Sequence, residues 1–451
     1  MVLFQKMKEE EQMIHKLSEL DAFLEKRTKQ LGMNFGLERI EALLEGLNVS
    51  HEELPIIHVA GTNGKGSTIA FLRNILMEQG YTVGTFTSPH IESIQEVITL
   101  NESYISEADF IRLFNKVIAY VEIMEEDNLF PTQFEILTII AFMYFLEKQP
   151  DIVLLETGLG GRLDSTNVVT PLLSIITSIS RDHTNILGSE ISNIALEKAG
   201  IIKEGKPVVT GVNNEEALSV IQKVSGEKGS PLFILNQEFS TFNEKGEART
   251  ECFSYEFGGE HLGDMAIRML GKHQIENAAL AVTAILILKK KYAFTITETS
   301  IKKGLLQTFW KGRIEVVHTN PTIIIDGSHN EEGIAALVAT LKSHYSSKKI
   351  IFLTAALVDK DVASMISQLE LIGHTIICTE FKMNRAMSAK QLGSYCRHSS
   401  HIVVPEWQSA IVKGMELIDE DSILVITGSL YFLTNVRPLL LKSLKNILAK
   451  K

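Results

Sequence analysis

The chain has 451 residues, 45% of them hydrophobic and 22% charged, with a net charge of −11. That length exceeds one ordinary domain and the composition is that of globular protein, so two or three domains with sizeable cores are expected. The acidic balance, with no long basic block, excludes nucleic acid as a main partner, and three widely spaced cysteines (Cys252, Cys378, Cys396) offer neither a disulfide framework nor a paired-thiol metal site, which fits a reducing cytosol.

Met1 to Glu11 is too charged for a signal peptide. The longest apolar stretch, Ile136 to Leu146, is too short to span a bilayer, so a soluble cytoplasmic protein with no membrane partner is expected. Residues 9–30 carry a charged amphipathic pattern, and a second helix runs from the Asn34–Arg39 turn to about Leu47. Ile56 to Ala60 is then an apolar run ending in Gly61-Thr62-Asn63-Gly64-Lys65-Gly66-Ser67, with a helical segment behind it. Strand, glycine-rich turn and helix in that order make a phosphate-binding loop. Glycines let backbone N–H groups curl around an anion, the helix N-terminus adds partial positive charge, and the lysine neutralises phosphate oxygens. Gly66 stands where Ser or Thr usually follows the lysine, so the hydroxyl arrives only at Ser67 and a metal ligand from elsewhere is called for. A flexible turn with a solvated lysine is the alternative, and the flanking strand and helix argue against it.

Tyr81 to Thr87 reads as a second strand, ending at Ser88-Pro89-His90. Helical patterns follow at 106–126 and 132–148, the latter opened by Thr132 with Glu135 three residues on, a capping-box spacing. Asp151 to Leu155 is apolar and ends in Glu156 and a Thr157–Gly161 turn. Leu172 to Ile179 repeats that design and ends in Ser180-Arg181-Asp182-His183. Continuously apolar strands alternating with helices indicate a parallel sheet covered on both faces, in which ligands collect beyond the carboxyl ends of the strands. Gly61–Ser67, Ser88, Glu156 and His183 all follow strands at that end.

Glu156 stands where nucleotide hydrolases place a magnesium-binding acid; capping the next turn is its alternative. Ser88 and His183 are each ordinary turn chemistry taken singly. With Glu156 they supply oxygen and imidazole ligands, a small set that suits Mg²⁺, which keeps several waters. Lys198, in the helical stretch 191–199, shares an apolar face with Ile194 and Ala195, where a lysine is costly unless paired or neutralised. Carbamoylation would turn it into an anionic ligand, but spacing alone favours a snorkelling side chain.

Residues 231–268 are β-like, with turn signals at 245–246 and 258–259. Gly271 to Asn277 opens a long apolar helix, and a helix over 297–309 closes the first domain. The expected division is 1–309 and 310–451. In the second part, strands at 322–325, 349–354, 374–379, 401–404 and 422–427 alternate with helical stretches. Lys311-Gly312-Arg313-Ile314-Glu315 stands at its entry, and Ile323–Ile325 ends in Asp326-Gly327-Ser328-His329-Asn330. Arg313 can clamp phosphate with two donors, with Asp326 and His329 facing the same cleft; surface pairs at a domain junction are the alternative.

Taken in this order, the motifs resemble the folylpolyglutamate synthase/dihydrofolate synthase family of the Mur ligase superfamily, ATP-dependent enzymes that form amide bonds. The resemblance runs nearly end to end, through Thr87-Ser88-Pro89-His90, Gly158–Asn167, Asp182-His183, Glu197–Lys203 and His273–Asn277 as well as the motifs above. It implies an α/β architecture: an N-terminal P-loop ATPase-type parallel-sheet domain, a smaller C-terminal Rossmann-like α/β domain, and an active site in the cleft between them. It implies that Asn63, Gly64, Lys65, Gly66 and Ser67 cradle the phosphates of ATP, and that Asn277, Arg313 and Asp326 contact the nucleotide. Ser88, Glu156 and His183 match the magnesium ligands, and Lys198 the carbamoylated lysine, which reverses the preference from spacing. Lys65, Lys198, His183 and His329 form the expected catalytic set, and Thr132 and Phe134 fall on the pterin side.

The implied reaction joins L-glutamate to the γ-carboxylate of a folate, and to dihydropteroate, through an acyl phosphate, with Mg²⁺ as cofactor and ADP and phosphate released. An amino-acid ligase acting on a peptidoglycan precursor and a non-catalytic ATP-binding homologue are the alternatives; only about 55 residues precede the phosphate loop, too few for a further substrate domain there. A monomer is expected, since no apolar stripe stands out. One departure concerns the segment after Ser-Pro-His. The family commonly carries Phe-Asn-Glu-Arg-Ile, whereas Ile94-Gln95-Glu96-Val97-Ile98 keeps the glutamate and replaces the arginine with Val97, leaving the preferred folate form open.

Overall fold

The structure, a computed structural model, describes residues 13–448 apart from Met33, Ala248, His398 and Ser399. The reading of Met1–Glu11 and the start of the first helix lie outside these residues; the described helix is Leu17–Leu31. The first sheet contains β1 (Ile56–Ala60), β2 (Val83–Phe86), β3 (Ile98–Leu100), β4 (Ser103–Tyr104), β5 (Ile152–Glu156), β6 (Leu173–Ile176), β7 (Val208–Thr210) and β8 (Leu232–Ile234), in the order β4-β3-β2-β5-β1-β6-β7-β8. The six strands from β2 to β8 run parallel, and β3 and β4 add an antiparallel edge that the apolar pattern does not reveal.

β1 and β5 are buried at every residue, so both faces need helical cover. On one face lie Lys65–Glu78, Lys272–Lys291 and Glu298–Gln307, packed through Ile69, Leu72, Ala281, Ile285 and Leu305. On the other lie Glu107–Glu126 and Gln133–Lys148, with Leu17–Leu31 and Glu38–Gly46 outside them. Thr132 caps the helix Gln133–Lys148 with Glu135 reaching back, the capping box its spacing predicts. Arg39 meets Glu135 at 3.0 Å and fixes the helix Glu38–Gly46 against it.

A small antiparallel sheet follows, formed by β9 (Phe239–Glu247), β10 (Thr250–Phe257) and β11 (Glu260–Ile267). The Gly258-Gly259 turn is where the sequence puts it. The signal at 245–246 is not a turn: Lys245 and Gly246 continue β9, and Thr250 pairs with Glu247. Gly246 marks a close approach instead, because a β-carbon there would fall 3.2 Å from both Glu251 Oε2 and the His344 ring.

The third sheet is β12 (Glu315–Thr319), β13 (Thr322–Ile325), β14 (Lys349–Thr354), β15 (Gly373–Glu380), β16 (His401–Glu406) and β17 (Ser422–Thr427), in the order β12-β13-β17-β14-β15-β16. All pair in parallel except the edge strand β12, which the sequence reading leaves out. Helices Glu331–His344 and Val362–Glu370 cover one face, and Trp407–Leu417 and Leu430–Leu448 the other. Among the described residues no helix is long and apolar enough to cross a membrane.

Candidate active site

β1 ends between two neighbours, with Val59 opposite Glu156 of β5 and Ala60 opposite Ile176 of β6. The loop after it is pinned to the β6 side. Thr62 N–H donates to Ser178 O at 2.8 Å, Asn63 N–H to Ser178 Oγ at 3.0 Å, and Thr177 Oγ1 to Asn63 O at 2.6 Å. Gly64, at φ 90°, turns the chain into the helix Lys65–Glu78. Its left-handed backbone favours glycine, and a β-carbon would fall 2.3 Å from Asn277 Oδ1. A β-carbon on Gly66 would fall 2.8 Å from the Trp310 indole nitrogen. The glycine at the unusual position therefore makes room for the Trp310 indole.

The first N–H groups of this helix have no intrahelical partner and lie on the cleft. Lys65 Nζ donates to Gly61 O at 3.0 Å and stands 3.9 Å from Glu156 Oε1. Glu156 is buried and its Oε2 accepts from Ser88 N–H at 3.2 Å. Burial raises its carboxyl above the ordinary range, with Lys65 offsetting only part of that. His183, at φ 51°, occupies the N-cap position of the short helix Thr184–Leu187 in the loop after β6. Burial, then the charge of Lys360, lowers its imidazole to about 4, so it is neutral at physiological pH. Among the described residues no cluster of three or more His, Cys, Asp or Glu side chains is gathered as a ready metal cage. A buried carboxylate short of positive charge, with a hydroxyl and a neutral imidazole on the same cleft, still fits a hard cation that keeps its waters.

Lys198, on the helix Ile191–Ala199, is buried rather than snorkelling, which corrects the reading from spacing alone. Burial, then the charge of Lys65, pushes its amine down to about 7.

The second domain closes the other side of the cleft. Asp326, at the end of β13, accepts from Ile314 N–H and Ser328 N–H, both at 2.9 Å. Ile314 is left-handed at φ 46°, an uncommon conformation for a β-branched residue. One buried carboxylate thus braces the turn that carries Arg313 and the turn that carries His329. Asn330 and Asn63 exchange amide bonds of 3.2 and 3.0 Å across the cleft, and Asn330 Nδ2 also donates to Asp182 Oδ2 at 3.1 Å. Asp182 takes Lys360 and His329 as partners too, His329 Nε2 at 3.5 Å. Burial opposes its ionisation, but His329 and Lys360 hold it well below the usual carboxylate range.

Thr132 and Phe134 line the same cleft. Thr132 spends its hydroxyl on the cap, and Phe134 packs against Phe86, with ring centroids 5.5 Å apart, and against Gly158. Every nucleotide, metal, catalytic and pterin-side residue expected from the sequence lies on one cleft of about 2060 Å³. A site for one drug-sized ligand is ~300–1,000 Å³, so this cleft has room for a nucleotide and a second large substrate. Sequence reasoning missed Lys360, which comes from a loop beyond β14. It also missed Asn330 as the bridge to Asn63; the only signal for either is a position after a strand's carboxyl end.

Residues 59–285 match the Mur ligase middle domain, and residues 312–430 match the glutamate ligase domain of Mur ligases. The dihydrofolate synthase/folylpolyglutamate synthase of Bacillus subtilis is 41% identical over 414 residues, covering 90% of this chain and 95% of that protein. The chain belongs to the dihydrofolate synthase/folylpolyglutamate synthase family of Mur ligases. Among solved structures, Mycobacterium tuberculosis folylpolyglutamate synthase with ADP and AMPPCP is 26% identical and covers 94% of this chain and 98% of that one, with a TM-score of 0.86. A bifunctional family member with Mn, AMPPNP and L-glutamate bound is 28% identical and covers 95% of this chain and 99% of that one, with a TM-score of 0.83. The two-domain α/β fold of the family is the fold seen here.

Proposed function

We propose that this family member joins L-glutamate to the γ-carboxylate of a reduced folate, and to the benzoate carboxylate of dihydropteroate, with cleavage of ATP to ADP and phosphate. The observation that carries the reading is convergence on one cleft. The Gly61–Ser67 loop, Glu156 and Lys198 come from one domain, and Arg313, Asp326 and His329 from the other, with the division between them at 309/310.

In this reading the amides of Gly64 to Ser67 and the Lys65 ammonium hold the nucleotide phosphates. Lys65 turns from its own loop carbonyl toward them, and Asn277 supports the loop from behind. Arg313, aimed by the braced turn at Ile314, reaches the same anion from the opposite wall. The substrate carboxylate attacks the γ-phosphorus in line, and the groups already pointing at the phosphoryl oxygens need no reorganisation as charge spreads. The resulting acyl phosphate is the electrophile for the glutamate amine, and phosphate leaves. Mg²⁺ held by Ser88, Glu156 and His183 would neutralise phosphate charge when bound. Carbamoylated Lys198 would add an anion beside that set. The Asn63–Asn330 and Asp182–Lys360 contacts close the cleft, which keeps water from the acyl phosphate. Thr132 and Phe134 flank the pteridine. The chain works as a monomer in the cytoplasm, without nucleic acid or membrane.

The test is phosphate release with ATP, Mg²⁺ and L-glutamate, offering dihydropteroate, tetrahydrofolate or a UDP-muramyl precursor. Release with both pteridines is the expected result. Release with the muramyl compound alone would replace the folate reading with a peptidoglycan one.

A further inference from the structure

Cys378, on β15, and Cys396, just past the short helix Ala389–Gly393, bring their Sγ atoms to 3.6 Å. Both are free thiols, Cys378 buried and Cys396 half-buried, while the third cysteine, Cys252, lies on β10 of the other domain. Between the pair the chain leaves the sheet, passes along the cleft wall from Glu380 to Ser388, and returns. Glu380 Oε2 accepts from Ala389 N–H at 2.7 Å and draws the neck of this excursion together. Lys382 and Arg385 ride on it and face the cleft. The two sulfurs therefore sit at the base of a loop whose tip lines the cleft.

A disulfide needs sulfurs at ~2.05 Å, so closing the gap is a movement of about 1.5 Å. The hydrogen bond shared by the two sulfurs lowers the Cys396 thiol, while the same bond and burial raise that of Cys378. The half-buried sulfur of Cys396 is thus the better nucleophile and the buried one of Cys378 the resolving partner.

We propose that Cys378 and Cys396 form a reversible, peroxide-driven disulfide that clamps the cleft-lining segment 379–395 and slows the ligase. The Cys396 thiolate attacks one oxygen of hydrogen peroxide. An S–O bond forms, the O–O bond breaks, and hydroxide leaves and is protonated to water. The Cys378 sulfur then attacks the Cys396 sulfenic acid, forming S–S and displacing hydroxide, which takes the Cys378 proton to become the second water. Two thiols lose two electrons and one peroxide becomes two waters; a dithiol reverses the step by exchange. Thiol pairs in reducing compartments that do this are transient and sensing. The bond acts on the cleft because pulling Cys396 toward β15 draws on the helix Ala389–Gly393. The first amide of that helix is already tied to Glu380, so the strain passes to residues 381–388.

The turnover part rests on the ligase reading; the mass and exchange parts do not. The full chain is treated with hydrogen peroxide, quenched, alkylated and digested. The expected product is a Cys378–Cys396 cross-linked peptide with Cys252 still alkylated. Amide exchange over 381–388 should slow and kcat/KM should fall, each several-fold, and both should return with dithiothreitol. Cys396→Ser should show none of these changes. Cys378→Ala should instead accumulate a Cys396 sulfenic acid that dimedone captures, which keeps the test open if the serine variant folds poorly. Cys396 alkylated as fully after peroxide as before, or a cross-link that leaves exchange over 381–388 unchanged, would overturn the proposal. If the cross-link and slowed exchange appear while no pteridine supports turnover at all, the ligase reading is the part that fails.

Discussion

Glu96 accepts a 2.7 Å bond from Lys311, across the junction between the two domains. Lys311 Nζ also lies 2.7 Å from Glu92 and 3.0 Å from the Tyr104 hydroxyl, and Arg437 adds a second bond to Glu92 while gripping Glu315. The glutamate retained beside Val97 is therefore a domain tether, whichever folate is bound. The network spans both domains and is partly screened by water, so a Glu96→Gln/Lys311→Met double-mutant cycle should show coupling on the order of 1 kcal/mol in urea unfolding. Additive single mutants would mean that the contact is not energetically real.

Gly64 has a sharper requirement. At φ 90°, with Asn277 Oδ1 2.3 Å from where a β-carbon would stand, Gly64→Ala pays a backbone penalty of roughly 1–2 kcal/mol and must displace Asn277 as well. Both effects fall on the phosphate loop, so ATP-dependent phosphate release should drop more than the melting temperature would suggest. Ala at the exposed Gly226, where nothing lies within 4 Å, is the control and should be near neutral.

The first sheet was legible because β1, β5 and β6 are apolar at nearly every position and end in polar clusters. Those ends are the site, so Lys65, Ser88, Glu156 and His183 could be named before any coordinates. Lys198 was legible only as a contradiction, a charge on an apolar face, and its burial removes the snorkelling reading. Lys360, Asn330 and Lys311 were not, because each is read from contacts with residues more than 140 positions away. No periodicity records such pairs. The edge strands β4 and β12 were hidden for another reason: a strand paired on one side, with exposed positions, carries no continuous apolar run.

Lys198 links stability to pH. Its amine titrates near 7 in the fold and near the ordinary 10.5 when unfolded. Between those values the unfolded chain binds a proton that the folded chain lacks, so the native state gains stability as pH rises through this window. Below pH 7 the cost of the buried charge is fully present. In bicarbonate-free buffer, Lys198→Met should be more stable than the wild type at pH 6, and the advantage should shrink toward pH 10. The neutral amine is also the form that carbon dioxide can carbamoylate. Added bicarbonate should therefore raise wild-type turnover at pH 8 and leave the methionine variant unmoved; equal stability at pH 6 and pH 9 would refute the linkage.

A further tether between the domains, behind the cleft, is buried. His344 Nε2 lies 2.7 Å from Glu251 Oε1, with both side chains almost fully enclosed. Gly271 N–H donates to the same oxygen at 2.6 Å. One carboxylate on β10 thus fastens the end of the helix Glu331–His344 and the start of the helix that carries Asn277 to the phosphate loop. His344→Ala leaves that carboxyl group enclosed with a backbone amide as its remaining partner, and an enclosed polar group that loses a hydrogen-bond partner costs about 1–3 kcal/mol. Glu251→Gln keeps an acceptor for Gly271 and a polar group facing His344, so it should cost less. The ordering His344→Ala below Glu251→Gln below wild type in melting temperature is the expected result. The histidine variant should also scatter X-rays with a larger radius of gyration, because the domains lose a fixed point behind the cleft. A variant that unfolds earlier yet keeps the wild-type radius would show that the pair stabilises the fold without setting the angle between its domains.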